Sequence, residues 1–337
     1  MQHSVALYAG FLIFVLAMLI IDLKVFHADA KADTTKQAAL WAVFWIGLGV
    51  VFGVGVYIWM GPTAAGEYAA GFLIEKALSV DNIFVFLVIF TYFQVKPEFQ
   101  HQVLFYGILG AIVFRGIFIA AGVTLINRFE WILYLLGVLL IYTAYRIGKG
   151  TESVHPERNP VLRLFTKRFR TTSKYYGHNL FAIENGKRVA TPLFVVLLVV
   201  EATDIAFAVD SIPAIFAITN DPFIILSSNV FAILGLRSLY FLLAGSIEKF
   251  HLLKYGLAII LGFVGVKMLL SHYWHPPISL SLGIIVVTLT ATVIASLKIP
   301  PKVDSAEKLI GAKVEELQKA DELHEPEPES EELPDRS

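Results

Sequence analysis

The stretch Glu75-Lys-Ala-Leu-Ser-Val-Asp81-Asn82-Ile83 lies inside a hydrophobic run, and it has a second copy at Asp204-Ile-Ala-Phe-Ala-Val-Asp210-Ser211-Ile212. Aligned on the second acid, both copies read acid-x-Ala-x-x-Val-Asp-(Asn/Ser)-Ile. An acid at the centre of a membrane helix costs about 2.5–3.5 kcal/mol on insertion scales. The same pattern carried twice, at that cost, points to a two-part site for a cation.

The surrounding chain reads as a polytopic membrane protein. It is 56% hydrophobic and 16% charged. The charges collect in loops and tails, leaving apolar runs of about 20 residues, the length that crosses a bilayer core. Nine spans are predicted, at about 5–23, 38–59, 65–93, 102–125, 131–148, 191–218, 222–244, 252–270 and 278–297. The run Val5–Asp22 lacks a basic leader and a small-residue cleavage site, so it reads as a helix rather than a signal peptide. Trp59, Tyr92, Trp131 and Trp274 fall near predicted ends, as interface anchors do. With no cysteine, the chain has no disulfide, no thiolate metal site and no cysteine nucleophile. Four Met and no mid-span His also speak against a soft-metal site.

Loop charge sets the expected orientation. The segment 149–190 carries Lys149, Arg158, Arg163, Lys167, Arg168, Arg170, Lys174, Lys187 and Arg188. By the positive-inside rule it is cytoplasmic, which places the N-terminus outside and the C-terminus inside. Six regions follow: the first two helices (1–62), a three-helix unit (63–148), a basic cytoplasmic loop (149–190), a second three-helix unit (191–270), a last helix (271–297) and a tail (298–337). The tail ends in the acidic, Pro-rich HEPEPESEELPD and is expected to be disordered.

The repeat extends beyond the motif. Ala-Ile-Val-Phe-Arg115 in span 4 resembles Ala-Ile-Leu-Gly-Leu-Arg237 in span 7, and Tyr134 and Arg146 match Tyr255 and Lys267 at one common offset. The repeat unit is therefore spans 3–4–5 and 6–7–8. Three is odd, so the second copy enters the membrane from the opposite side. The fold expected is an all-α membrane protein with an inverted repeat, an arrangement that in transporters places the site near the midplane.

The candidate metal ligands are Glu75, Asp81 and Asn82 with Glu201, Asp204, Asp210 and Ser211. Their oxygens are hard ligands, suited to manganese, calcium or magnesium. On a regular helix Glu75, Ser79 and Asn82 share a face, as do Glu201, Asp204 and Ser211, whereas Asp81 and Asp210 fall out of phase. Either the two Asp residues do separate work or the helices unwind there. Pro213, which removes a bond to the Val209 carbonyl, favours unwinding in span 6. Five carboxylates cannot all stay ionised in apolar surroundings without partners. Arg115, Arg237 and Lys76 are the available bases, and the plainer alternative is that they pair with the acids to fix packing. A divalent ion would neutralise two carboxylates and protons would replace it on release, which gives proton coupling as a hypothesis.

The segments EKALSVDNIFVF (75–86), EATDIAFAVDSIPAIFAITNDPF (201–223) and SNVFAILGLRSLYFLLAG (228–245) closely resemble the TerC family, its Alx-type branch in particular. The resemblance implies an inner-membrane protein of inverted repeats linked to manganese export, with the seven ligands above as its acidic motifs. The expectation is a manganese exporter in a lipid bilayer. No cofactor, nucleic-acid partner or enzymatic activity is expected. The rivals are a transporter of another cation such as calcium, and a membrane assembly or scaffold protein with structural acids.

Overall fold

A computed structural model describes residues 5–26, 35–129, 131–149, 169–172, 174–184, 186–244, 250–273 and 276–299, without the side chains of residues 22–26, 35, 81, 84 and 210. The expected acidic tail and residues 150–168 of the basic loop lie outside the described residues. The helices are α1 (Val5–Phe26), α2 (Thr35–Met60), α3 (Pro62–Tyr92), α4 (Pro97–Arg128), α5 (Ile132–Gly148), α6 (Pro192–Phe216), α7 (Pro222–Ile233), α8 (Leu236–Leu243), α9 (Leu253–Leu269) and α10 (Ile278–Lys298). A hairpin of β1 (Phe181–Glu184) and β2 (Lys187–Ala190) precedes α6. The chain is a mostly helical membrane protein, and each predicted span meets helix. Proline opens α3, α4, α6 and α7, where its missing N–H has no partner to lose and its fixed φ suits the first turn. Asp221 caps α7 by accepting from the amides of Phe223 (2.9 Å) and Ile224 (3.3 Å).

Of the two alternatives for Asp81 and Asp210, local unwinding is not what the helices show. Neither α3 at Asp81 nor α6 at Asp210 is interrupted. Pro213 falls in the last turn of α6, one turn from the C-cap Ala217, where little helix remains to disturb. The break lies in predicted span 7 instead. Leu234 is extended (ψ 131°) and Gly235 is left-handed (φ 81°), which separates α7 from α8. An added Cβ at Gly235 would lie 2.5 Å from the Trp45 Cβ of α2. Glycine is therefore required twice here, for its φ and for the close approach. α7 is buried almost throughout, so its apolar character all round is that of a central element, and α8 buries Leu236, Arg237, Ser238 and Tyr240.

The hairpin is a second departure from the all-helical expectation. Its strands pair antiparallel from Phe181 with Ala190 to Glu184 with Lys187, and Gly186 turns it with φ 73°. The preceding segment ties it to the bundle: the Tyr175 ring stacks on Phe99, its hydroxyl donates to the Phe93 carbonyl (3.2 Å), and Gln102 donates to the His178 carbonyl (2.7 Å). The end of α3, the start of α4 and the start of α6 thus share one face of the bundle. The end of α8 joins them through Tyr240, which donates to Gln100 (3.0 Å). On the other face Tyr8 of α1 meets Phe223 of α7 edge-on.

Two packings position the site. Gly71 of α3 lets α7 approach, since a Cβ there would lie 2.8 Å from the Ser228 hydroxyl. At the α5–α9 crossing a Cβ on Gly265 would lie 2.9 Å from the Gly137 carbonyl. Gly265 thus serves close helix contact, as small residues do in membranes, whereas a Cβ on Gly262 would meet Ala144 only at 3.8 Å. The outer faces of α2 and α10 present Val43, Val51, Ile58, Val287 and Ile294, exposed among the described residues.

Candidate functional site

α3 turns a polar line inward. Glu75, Ser79 and Asn82 recur at helical spacing and are all buried. On α6, Asp204 and Ser211 do the same, seven residues apart. α7 brings Ser227, Ser228 and Asn229, all fully buried, against α3. α4 contributes Arg115, which is 2% exposed.

Arg115 joins these elements. Its guanidinium grips Asp204 side-on, Nε to Oδ2 at 3.2 Å and Nη2 to Oδ1 at 3.1 Å, the two-point geometry in which Arg–carboxylate pairs are strongest. Nη1 donates to Glu75, to the Asn229 carbonyl oxygen (3.3 Å) and to the Ser211 hydroxyl (3.4 Å). The Asn229 amide donates to the other Glu75 oxygen (3.3 Å). One base thus holds the first acid of both motif copies, with Ser211 and Asn229 filling the remaining directions. Arg115 sits at the centre of the cluster, not beside it.

Glu201 stands apart from that network. It lies one turn before Asp204, directly against the backbone of α4. A Cβ on Gly110 would collide with the Glu201 carboxylate, and one on Gly107 would lie 3.2 Å from Val200. The two glycines make the groove that admits it. Its Oε2 is buried and has no hydrogen-bond partner among the described residues, as is true of the Ser79 hydroxyl. The amide residue Asn82 is buried one turn beyond Ser79. Arg237 is buried in α8, 2% exposed. The side chains of Asp81 and Asp210 lie outside the described residues, although their backbones continue regular helices. Among the described residues no group of three or more His, Asp or Glu is spaced to hold a metal ion.

Sequence reasoning missed Asn229. Its signal was a lone amide in a long apolar run, two turns before Arg237. It also left Lys76 as a spare base, whereas its ammonium donates to the carbonyls of Ala232 (2.7 Å) and Leu234 (3.2 Å) at the α7–α8 break. Glu67, near the start of α3, accepts from the Thr219 hydroxyl (2.6 Å). Chemically, the layer between α3, α4 and α6 holds Glu75, Asp204 and Glu201 against one guanidinium. Buried charge of one sign must be met by a cation or by protons.

The comparisons with known proteins agree with this architecture. The TerC integral membrane protein family matches residues 60–303. An uncharacterized membrane protein, STKORF319, of Myxococcus xanthus is 48% identical over 295 residues, covering 87% of this chain and 92% of its own. The "Putative membrane-bound redox modulator Alx" of Escherichia coli (strain K12) is 45% identical over 298 residues, covering 86% and 93%. An uncharacterized membrane protein of Rickettsia bellii is 42% identical over 283 residues, covering 84% and 94%. No solved structure matches the chain. The chain belongs to the TerC family of integral membrane proteins.

Proposed function

We propose that this TerC family member is a secondary transporter that exports a divalent cation, manganese, through the acidic layer between α3 and α6. The observation that carries the reading is the excess of buried acid there: Glu75 and Asp204 share Arg115, and Glu201 keeps a buried oxygen without a partner among the described residues. The motif copies at 75–83 and 204–212 belong to helix triplets that pack reciprocally, α3 on α7 as α6 on α4. That reciprocity supports an inverted repeat with the site at its interface. Glu201, Asn82, Asp81, Asp210 and Ser211 then supply metal oxygens, while Arg115 holds Glu75 and Asp204 when metal is away. Metal binding to carboxylates releases protons and protonation releases metal, so exchange for protons follows. The basic segment 149–190 supports, by the positive-inside rule, an inner-membrane protein with its N-terminus outside and its C-terminus in the cytoplasm. No enzymatic step is proposed. The relatives' description as redox modulators fits indirectly. A chain without cysteine has no thiol couple of its own, whereas control of a redox-active metal alters redox poise.

One observation favours a second reading. Arg115 satisfies Glu75 and Asp204 fully enough to fix helix packing, as it would in a membrane assembly protein. Flux into proteoliposomes of the purified protein separates the two. Manganese, calcium and magnesium are each offered with and without a pH gradient. The transporter moves manganese, and Asp81→Asn or Asp210→Asn abolishes the flux while leaving insertion intact. Absence of divalent flux in the wild type, or undiminished flux in both folded variants, sinks the transport reading or the site respectively.

A further inference from the structure

The α7–α8 break leaves backbone carbonyls without helical partners, and the chain answers with a cation. The Leu234 amide still closes on Val230 (2.9 Å) and the Leu239 amide on Gly235 (2.9 Å). Between these bonds the carbonyls of Ala232 and Leu234 turn to the Lys76 ammonium, at 2.7 and 3.2 Å. The Phe72 ring, one turn earlier on α3, stands 5.9 Å from the same nitrogen. The carbonyl end of a helix is its negative pole, and unwound carbonyls at membrane depth commonly coordinate cations. Gly235 is pinned open by Trp45, so the break is built into the fold whether or not a cation fills it.

We infer that the α7–α8 break is a monovalent-cation cup which this chain fills with its own Lys76 ammonium. The occupant points to the class. The two carbonyls hold an ammonium at ordinary hydrogen-bond lengths, a spacing that a large, weakly hydrated monovalent ion such as potassium or free ammonium can take over, whereas magnesium at 2.0–2.1 Å and calcium at 2.3–2.6 Å would need the carbonyls to close in. The cup is distinct from the acidic layer. Glu75 and Lys76 are adjacent on α3, yet Glu75 turns to Arg115 and Asn229 while Lys76 turns to the break. The tethered amine makes the chain independent of a bound monovalent ion, and it latches α3 to the end of α7 through bonds that any sliding of the two must release.

The test replaces the amine and supplies the ion. Lys76→Met and Lys76→Gln are purified throughout in potassium chloride, then exchanged into choline chloride at equal ionic strength. Thermal unfolding and filter binding of radioactive rubidium are read on both variants and on the wild type. Raising potassium from about 1 to 100 mM lifts the melting temperature of each variant by about 4 °C or more, as mass action on a folded-state site requires. Rubidium binds the variants at one site per chain, ammonium chloride substitutes for potassium, and the wild type responds to neither ion. Variants that melt alike in choline and potassium overturn the inference. So does failure of both variants to fold in potassium, because a cup sized for the amine would accept the ion in its place. Both readouts are independent of divalent flux, so the cup and the transport reading fail separately.

Discussion

Replacing Arg115 by methionine tests the charge arrangement most directly. The substitution keeps an unbranched apolar stem of similar reach and removes the guanidinium. That guanidinium is 2% exposed and makes two bonds to Asp204, one to Glu75 and one each to Ser211 and Asn229. Methionine therefore leaves two buried carboxylates facing each other with only Ser211 and Asn229 between them. Removing one partner of a buried ion pair costs about 3–5 kcal/mol. At roughly 2 °C per kcal/mol for a chain of this length, the melting temperature falls by about 6–10 °C. Thermal unfolding in detergent, followed by tryptophan fluorescence, reads this directly. The control is the triple variant Arg115→Met, Glu75→Gln, Asp204→Asn, which removes the stranded charges and recovers most of the loss. An Arg115→Met protein that melts within about 2 °C of the wild type refutes the reasoning, as does a triple variant no more stable than the single one.

Three further outcomes are expected. Gly110→Ala drives a methyl into the Glu201 carboxylate, and overpacking of that kind costs about 1–3 kcal/mol; the loss should shrink when Glu201→Ala is added, as a double-mutant cycle would show. Gly235→Ala combines a left-handed backbone with contact against Trp45, and the backbone alone costs about 1–2 kcal/mol; an unchanged melting temperature would mean that the break is not held as described. In the hairpin, hydrogen bonds from the Tyr176 hydroxyl and then the Thr172 hydroxyl hold the Glu184 carboxyl below its usual range. A depressed folded value means that the contribution is complete above the usual glutamate range and is lost as pH falls below it, so the protection of the Ala182 and Val189 amides, taken relative to their intrinsic exchange rate at each pH, should fall between about pH 6 and pH 3. Glu184→Gln should flatten that dependence.

The spans were legible because bilayer crossing demands long apolar runs, and the chain has little else between its charged loops. The inward faces were legible too. Helical spacing joined Glu75 to Asn82 and Asp204 to Ser211, and both pairs turn inward. The meeting of both acids at Arg115 was not legible, because it depends on how α4 sits between α3 and α6. The break was misplaced for a physical reason. Proline names a lost hydrogen bond wherever it occurs, but Pro213 loses it in the last turn of α6, where little helix remains to interrupt. Gly235 is one of 24 glycines, and what sets it apart, a left-handed φ with Trp45 pressed against it, exists only in the fold. The hairpin, by contrast, was readable. Asn185-Gly186 between Phe181-Ala-Ile-Glu and Lys-Arg-Val-Ala190 is a two-residue turn signal, set in a segment whose dense basic charge marks it otherwise as a loop.

The paired helices α5 and α9 have 17 residues each, about 26 Å of rise. A bilayer core is about 30 Å thick, whereas α3 and α4, with 31 and 32 residues, exceed it by more than half. The glycine crossing at Gly137 and Gly265 holds the two short helices together, so the deficit falls on one flank of the molecule. Lipid beside that flank thins, or flanking side chains snorkel, to meet it, at a fraction of a kcal/mol per ångström. Acyl-chain length in the host membrane is then a mechanical load on one side of the protein, heavier in thick bilayers and relieved in thin ones.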